Sequence, residues 1–367
     1  MSDARLEIEG EATAVLAELV GELVAAGHLT DPLWQAAFKT VPRHLFVPRF
    51  YRYSSQGSAV VDATHGRDWL SAVYSDIHLV TRDDVRSSST APSLMATMLQ
   101  ALELTGGETV LEIGAGTGYN AALLSERLGD NRVVSVDIDP DLVDQARRQL
   151  ALAGYRPLVA VADGIDGFPG AGPYGAVIAT CRLDFVPPSW LSQLEPGGVV
   201  VTPMGAGIAR IRKDRDGEGA TGAFLPDPAY FMPLRHEPGQ VSVGELIEIA
   251  TSSAGISRAY SFDATIYRDN EARFWLDLTN PDVRTASVDG ASVAYRSDGS
   301  WARLADGLVV QGGPSTVWDD VELAYRDWIA AGRPVRERYR LTITDQQQGV
   351  FLDGRPDPVH LLKPLSK

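Results

Sequence analysis

The chain has 367 residues, 44% hydrophobic and 22% charged, a composition that suits a soluble globular protein of one large domain or two ordinary ones. Lys and Arg number 33 against 48 Asp and Glu, a formal net charge of −15, which argues against bulk nucleic-acid binding but leaves room for a local basic pocket. A single cysteine, Cys181, excludes an intrachain disulfide and fits a reducing compartment. With no apolar signal core and no membrane-length run, a cytoplasmic location with no membrane partner is expected.

In chain order, residues 11–26 place Val15, Leu19, Leu23 and Ala26 on one helical stripe, and Gly27 can end that helix. Thr30 or Asp31 can cap the next helix, with Pro32 in its first turn. Two prolines bracket Val41-Pro42-Arg43-His44-Leu45-Phe46-Val47-Pro48, which reads as a short extended segment. For Arg43 and His44, surface or core roles outweigh ligand contact. Residues 54–86 are polar and irregular, with one or two strands around Val73, Ile77, Leu79 and Val80. Long stretches of this kind are often binding loops. Ser87-Ser88-Ser89-Thr90-Ala91-Pro92 then leads into a helix from about Ser93 to Leu104. Ser89 or Thr90 can cap that helix. Consecutive hydroxyls ahead of a helix N-terminus also make a site for an anion such as a carboxylate.

From Glu108 to Met204 strands and helices alternate, which predicts a parallel sheet covered on both faces. Strands are predicted at Thr109–Ile113, Val133–Asp137, Leu158–Ala162, Gly175–Thr180 and Val199–Pro203, and helices at about Tyr119–Leu128, Pro140–Ala153 and Pro188–Leu194. The first strand runs into Gly114-Ala115-Gly116-Thr117-Gly118, a turn through which a ligand can approach main-chain atoms. Asp137 closes the second strand and is placed to bind two ribose hydroxyls. The turn and Asp137 together indicate an adenosine cofactor. A dinucleotide fingerprint needs glycine at position 119, where this chain has Tyr119, so S-adenosylmethionine stands ahead of NAD. Asp163 ends the third strand on the same sheet edge and can either meet the adenine amino group or cap the next turn.

Past Gly205 the texture changes. Residues 212–240 are rich in Gly, Asp and Pro and read as a linker or loop. From Val241 short β-type runs alternate with Asp289-Gly290, Asp298-Gly299 and Asp306-Gly307, strong hairpin signals. One amphipathic helix, about Thr316–Ala331, and a last hairpin from Tyr339–Thr344 to Val350–Leu352 close the chain. Trp275, Trp301, Trp318 and Trp328 read as core. No metal-ligand spacing is present.

Residues 11–205 resemble the protein L-isoaspartate O-methyltransferase family. The resemblance lies in Val41-Pro42-Arg43-His44-Leu45-Phe46-Val47-Pro48, Ser89-Thr90-Ala91-Pro92, Leu111–Tyr119, Asp163-Gly164, Pro173-Tyr174, Val186-Pro187, Leu194–Gly198 and Pro203-Met204-Gly205, in that order. It implies a Rossmann-like α/β fold, S-adenosylmethionine as cofactor and a peptide carboxylate as acceptor. The implied cofactor-binding residues are Glu112, Gly114, Gly116, Gly118, Asp137, Ile138, Asp163, Gly164 and Thr180. The acceptor would be held by Thr90, Ser89 and Ser88, with Ser87 and Arg182 beside it. The expected organisation is an N-terminal helical and substrate-binding region (1–106), a methyltransferase core (107–211), a linker (212–240) and a C-terminal α+β, β-rich accessory domain (241–367).

The bulkier Cys181-Arg182-Leu183 loop, the long segment before Ser87 and the C-terminal part depart from the family pattern. The whole chain is similar to longer actinobacterial homologues that accompany ribosomally made lanthipeptides and graspetides. That similarity implies methylation of an ordinary aspartate in a constrained peptide, with isoaspartate repair as the other reading. An NAD-dependent oxidoreductase and a non-catalytic cofactor-binding module that recruits a peptide are the remaining alternatives.

Overall fold

Asp31 accepts a hydrogen bond from the Leu33 amide at 2.7 Å, and Pro32 follows, so the second helix starts where its signals place it. The computed structural model describes residues 3–54, 57–82, 87–234, 243–288 and 290–362. Residues 83–86 of the irregular stretch, 235–242 of the expected linker and Asp289 of the first Asp-Gly pair lie outside the described residues.

Helices α1 (Asp3–Ala25) and α2 (Pro32–Thr40) precede a four-residue helix, α3 (Arg43–Phe46), where an extended segment was expected. The prolines restrain the residues just before them, Val41 and Val47, and leave the four between free to turn. Strands β1 (Arg49–Ser54) and β2 (Gly57–Asp62), helix α4 (Arg67–Val73), and strands β3 (Leu79–Val80) and β4 (Ser88–Ser89) follow. The strands form a sheet in the order β2-β1-β3-β4, and Val73 ends a helix instead of joining a strand. Helix α5 (Pro92–Gln100) has Ala91 at its cap position with no side-chain cap, so neither Ser89 nor Thr90 serves there.

The alternating region gives β5 (Val110–Ile113), α6 (Tyr119–Leu128), β6 (Val133–Asp137), α7 (Pro140–Ala153), β7 (Leu158–Val161), β8 (Tyr174–Ala179), α8 (Pro188–Gln193) and β9 (Leu194–Met204). The pairs β5–β6, β5–β8, β6–β7 and β8–β9 are parallel, as predicted. Side chains alternate across this sheet. Val110, Ala176, Ile178 and Val201 enter one core with α1, α2, α5 and α6. Leu111, Ile113, Val177 and Val200 enter a second core.

The sheet does not stop at β9. It continues antiparallel through β10 (Gly207–Lys213) and β11 (Ala220–Phe224). The expected linker is thus partly sheet: its Gly and Asp residues make the β10–β11 turn, where the Asp214 amide donates to Gly219 O at 2.9 Å. After α9 (Val243–Ser252), β12 (Ile256–Ala259), α10 (Asn270–Thr279), β13 (Arg284–Val288), β14 (Ala291–Tyr295), β15 (Trp301–Ala305), β16 (Leu308–Gly312) and α11 (Val317–Ala330), the chain returns. Its last strands, β17 (Tyr339–Ile343), β18 (Gln348–Leu352) and β19 (His360–Leu362), complete a ten-stranded sheet in the order β19-β18-β17-β11-β10-β9-β8-β5-β6-β7.

The C-terminal part is therefore split. β12–β16 form their own antiparallel five-stranded sheet, while β17–β19 belong to the main one. The two later Asp-Gly pairs do make hairpins, and Asp306 (φ 51°) and Gly307 (φ 79°) form the two-residue turn between β15 and β16. Helix α10 was not predicted. Asp269 caps it by accepting from the Glu271 and Ala272 amides, but Phe274, Trp275, Leu276 and Leu278 are all buried, into two different clusters. An apolar run buried on two sides shows no single stripe.

Candidate active site

The carboxyl ends of β5, β6 and β8 meet at one edge of the parallel sheet, the position where open α/β sheets bind ligands. Beyond Ile113 the backbone turns through Gly114, Gly116 and Gly118, with φ of 95°, 50° and 85°. Gly114 has no room for a side chain: a Cβ would lie 2.7 Å from Thr180 Oγ1. That hydroxyl donates to Gly114 O at 2.8 Å and ties the turn to the end of β8. Gly118 packs against α7, its Cβ position 3.3 Å from Ala146 Cα, whereas at Gly116 the nearest atom would be Ser87 Oγ at 3.9 Å. A side chain at Gly116 would thus be in ordinary contact with Ser87, and it is the positive φ of 50° that favours glycine there.

Asp137, last in β6 and 8% exposed, holds the turn from below. Its carboxylate accepts from the Gly116 amide and from the Asp139 amide, each at 3.1 Å. Glu112 is fully buried at the floor and accepts from Asn120 Nδ2 at 2.7 Å and from Ser135 Oγ. Burial pushes its carboxyl up to about 7; the two hydrogen bonds pull it down and the charge of Asp137 pushes it up. Asn120 Oδ1 and the Tyr119 hydroxyl, also on the cleft, are buried with no hydrogen-bond partner among the described residues. Orphaned polar atoms, a glycine turn on the cleft and a carboxylate at a strand end fit the polar parts of an adenosyl cofactor.

The adjoining wall carries the hydroxyls. Ser88 and Ser89 form β4, paired with Val80 and Leu79. Ser87 Oγ accepts from Thr81 Oγ1 at 3.1 Å. Behind them lies Arg43, with no solvent exposure. Its guanidinium donates to Val73 O at 2.7 Å, to Ser75 O and Ile77 O at 3.2 Å, to Ser89 Oγ at 3.3 Å and to Thr90 O at 3.1 Å. Burial lowers its pKa to about 10, which leaves it charged at neutral pH. His44 is buried too, 2.7 Å from the Tyr74 hydroxyl through Nδ1.

The two walls enclose a cleft of about 530 Å³. Its lining includes Ser87, Ser88, Ser89, Thr90, Glu112, Gly114, Gly116, Asp137, Ile138, Gly164 and Thr180. Gly118, Asp163 and Arg182 are not among the lining residues. Asp163 accepts from the Ile165 amide at 3.0 Å and caps a short turn, the second of its two sequence readings. Arg182, 9% exposed, donates to Pro281 O at 2.9 Å and lies 3.6 Å from Asp184. Its buried guanidinium is committed to the C-terminal part, which corrects the expected place beside the acceptor. The remaining wall comes from His78 and from the segment Tyr230-Phe231-Met232-Pro233-Leu234, inside the expected linker. The apolar run Phe231–Leu234 in a Gly/Asp/Pro-rich stretch was its one sequence signal. Among the described residues, no group of His, Cys, Asp and Glu could hold a metal ion, and no helix is long and apolar enough to cross a membrane.

Comparisons agree with this geometry. The profile of the family "Protein-L-isoaspartate(D-aspartate) O-methyltransferase" matches residues 14–234 and so ends on the last residue of the Tyr230–Leu234 wall. The protein-L-isoaspartate O-methyltransferase of Methanococcoides burtonii is 36% identical over 210 residues, 56% of this chain and 93% of the relative. That of Methanosarcina mazei is 33% identical over 197 residues, 52% of this chain and 73% of the relative. A solved protein-L-isoaspartate O-methyltransferase, 24% identical with a TM-score of 0.56, shares the fold over 92% of this chain and 99% of its own. With a profile match over more than half its length, the chain belongs to the protein-L-isoaspartate(D-aspartate) O-methyltransferase family, and it is an S-adenosylmethionine-dependent carboxyl O-methyltransferase.

Proposed function

We propose that the acceptor is the free carboxylate of an isoaspartyl residue in a peptide or damaged protein, held by the hydroxyls of residues 87–90. The observation that carries this reading is that these hydroxyls and the glycine turn line one cleft, with Ser87 Oγ 3.9 Å from the Cβ position of Gly116. S-adenosylmethionine supplies an electrophilic methyl group on sulfur. The free carboxylate of an isoaspartyl residue is an α-carboxyl, with a pKa of about 3.3–3.7 in water, so it is already an anion at neutral pH and needs no general base. The bond from carboxylate oxygen to methyl forms as the sulfur–methyl bond breaks, giving a methyl ester and S-adenosylhomocysteine. The residues must hold oxygen, carbon and sulfur in line, and placement of this kind can lower a barrier by roughly 7–11 kcal/mol. Thr90, with Ser89 and Ser88, orients the acceptor, and Arg43 fixes that wall from behind. Asp137 takes the ribose hydroxyls, the turn at Gly116 lies against the methionine portion, Ile138 and Gly164 flank the adenine, and Glu112 faces the cofactor's amino group.

A second reading keeps the same chemistry and changes the acceptor to an ordinary aspartate in a constrained ribosomal peptide. Cys181 on the cleft wall, where the family pattern has a small residue, favours it. The ester would then be attacked by the following backbone nitrogen, closing a succinimide with loss of methanol, and water would reopen the ring to aspartate or isoaspartate. Arg182 supports neither acceptor, because it faces Pro281. A linear isoaspartyl peptide and a macrocyclic peptide with a normal aspartate, offered side by side and followed by mass spectrometry, separate the two. Methylation of the macrocycle alone would sink the isoaspartate reading.

Two further results are expected. Thr90→Val deletes the hydroxyl and keeps the shape. Turnover should fall by about a hundredfold with donor affinity kept, and melting should barely change because Ala91 holds the cap position. Donor binding should also depend on Glu112. Its pKa is raised from 4.5 to about 7, so between those values the folded protein binds more protons than the unfolded chain. Stability contributed by this group is therefore lost as pH rises from 4.5 towards 7, and the cost is fully present above 7. A cationic amino group beside it favours the ionised form, so donor affinity should rise as pH climbs through about 7, with proton release. Calorimetry in buffers of different ionisation enthalpy reads this directly. Glu112→Gln should flatten both slopes; an unchanged pH profile in that variant removes Glu112 from the binding equilibrium.

A further inference from the structure

The Tyr230–Leu234 segment forms a roof over the cleft, and it is held at one end by the family core and at the other by the C-terminal part. Two hydrogen bonds fasten it to the loop after β8: the Arg182 amide donates to Met232 O at 2.7 Å, and the Leu234 amide to Arg182 O at 2.8 Å. The Arg182 side chain then reaches Pro281 O, just past α10. At the other end of the roof the Tyr230 hydroxyl donates to Asn270 Oδ1 at 2.8 Å, and the Arg273 guanidinium lies 4.3 Å from the centre of the Tyr230 ring. Both partners are on α10.

That helix is itself locked to the sheet. Arg336, with no solvent exposure, donates to Asn270 O at 2.9 Å, to the Glu271 carboxylate and to Ala206 O at 2.8 Å. Ala206 O also accepts from the Ala229 amide at 3.1 Å, immediately before the roof. The turn between β9 and β10 packs so closely on α10 that a Cβ on Gly205 would lie 3.1 Å from Phe274 O. Tyr230 and Met232 are 50% and 38% exposed, so little else buries the outer end of the roof.

We propose that α10 braces this roof, with Asn270 and Arg273 as positioning residues that hold Tyr230–Leu234 over the methyl donor and so set its residence in the cleft. The proposal rests on the donor occupying this cleft. It assigns to the C-terminal part a role in holding the donor through named contacts. The family profile ends at Leu234, so the brace lies beyond it.

The test uses full-length protein carrying Tyr230→Phe, Asn270→Ala, both together, and Arg273→Met, which removes the cation and keeps an apolar stem. S-adenosylhomocysteine affinity is measured by calorimetry, donor dissociation by stopped flow, and kcat and KM for the donor with an isoaspartyl peptide. Each single change should weaken affinity about three- to tenfold through faster dissociation. KM should rise and kcat at saturating donor should stay level. The Tyr230→Phe/Asn270→Ala double variant should be no weaker than the weaker single, because both remove one hydrogen bond. Affinity equal to wild type in all four variants overturns the brace. So does a loss of kcat with donor affinity unchanged, which would place these residues on the acceptor side. Failure of the wild-type protein to bind S-adenosylhomocysteine would instead strike at the placement of the donor itself.

Discussion

Replacing Asp137 with alanine is expected to weaken S-adenosylmethionine binding about ten- to a hundredfold, which corresponds to the ~1.5–3 kcal/mol of a hydrogen bond to a charged group. Two effects act together. The carboxylate loses the ribose hydroxyls proposed as its ligands, and the glycine turn loses the acceptor for the Gly116 amide, held at 3.1 Å. Asp137→Asn separates them, since an amide oxygen can still accept from Gly116 while the charge is gone. Its affinity should fall between wild type and Asp137→Ala. Calorimetry on variants with confirmed folding decides the matter, and an unchanged dissociation constant in Asp137→Ala would remove this residue from the cofactor site.

Arg43→Met is expected to be the most destabilising single change in the acceptor wall. The unexposed guanidinium serves four backbone carbonyls and Ser89 Oγ, of which the bonds to Val73 O and Ser89 Oγ are fully buried. Each buried acceptor left unpaired costs about 1–3 kcal/mol. Even with partial relaxation the loss should reach about 3 kcal/mol or more, read as a shift in the denaturation midpoint. Arg43→Lys should recover only part of it, because a point ammonium cannot span acceptors on both α4 and the β4 end. Catalysis should suffer beyond stability. At temperatures where the variant remains folded, kcat should fall because Ser89 and Thr90 lose their backing. A variant with full kcat and normal midpoint would show that the wall stands without Arg43.

The contrast between these residues shows what local sequence carries. Asp137 announces itself by position: it closes an apolar strand at a fixed distance from a glycine turn, and strand ends at a parallel sheet edge converge on ligands. Arg43 sits in a segment that marks the family, yet nothing local says that its side chain turns inward. Its five acceptors lie 30 to 47 residues away. Arg182 misled in the opposite direction. An arginine in a loop at the sheet's binding edge invites a substrate role, but its partner is 99 residues further on.

The sequence by itself determined the parallel half of the sheet, its helices, the glycine turn, the strand-end carboxylate and the hydroxyl run. Each depends on spacing and on short-range backbone preference, which neighbouring residues set. Only the tertiary structure decided that β11 and β17–β19 extend that sheet, that α10 is a helix, and that Tyr230–Leu234 closes the cleft. Strand pairing across a separation such as Thr221 to Thr342 leaves no periodic trace. An apolar run buried on two sides, as in α10, does not reveal its period. The roof is defined by what it covers, and the groups it covers become neighbours only when β5, β6 and β8 have paired.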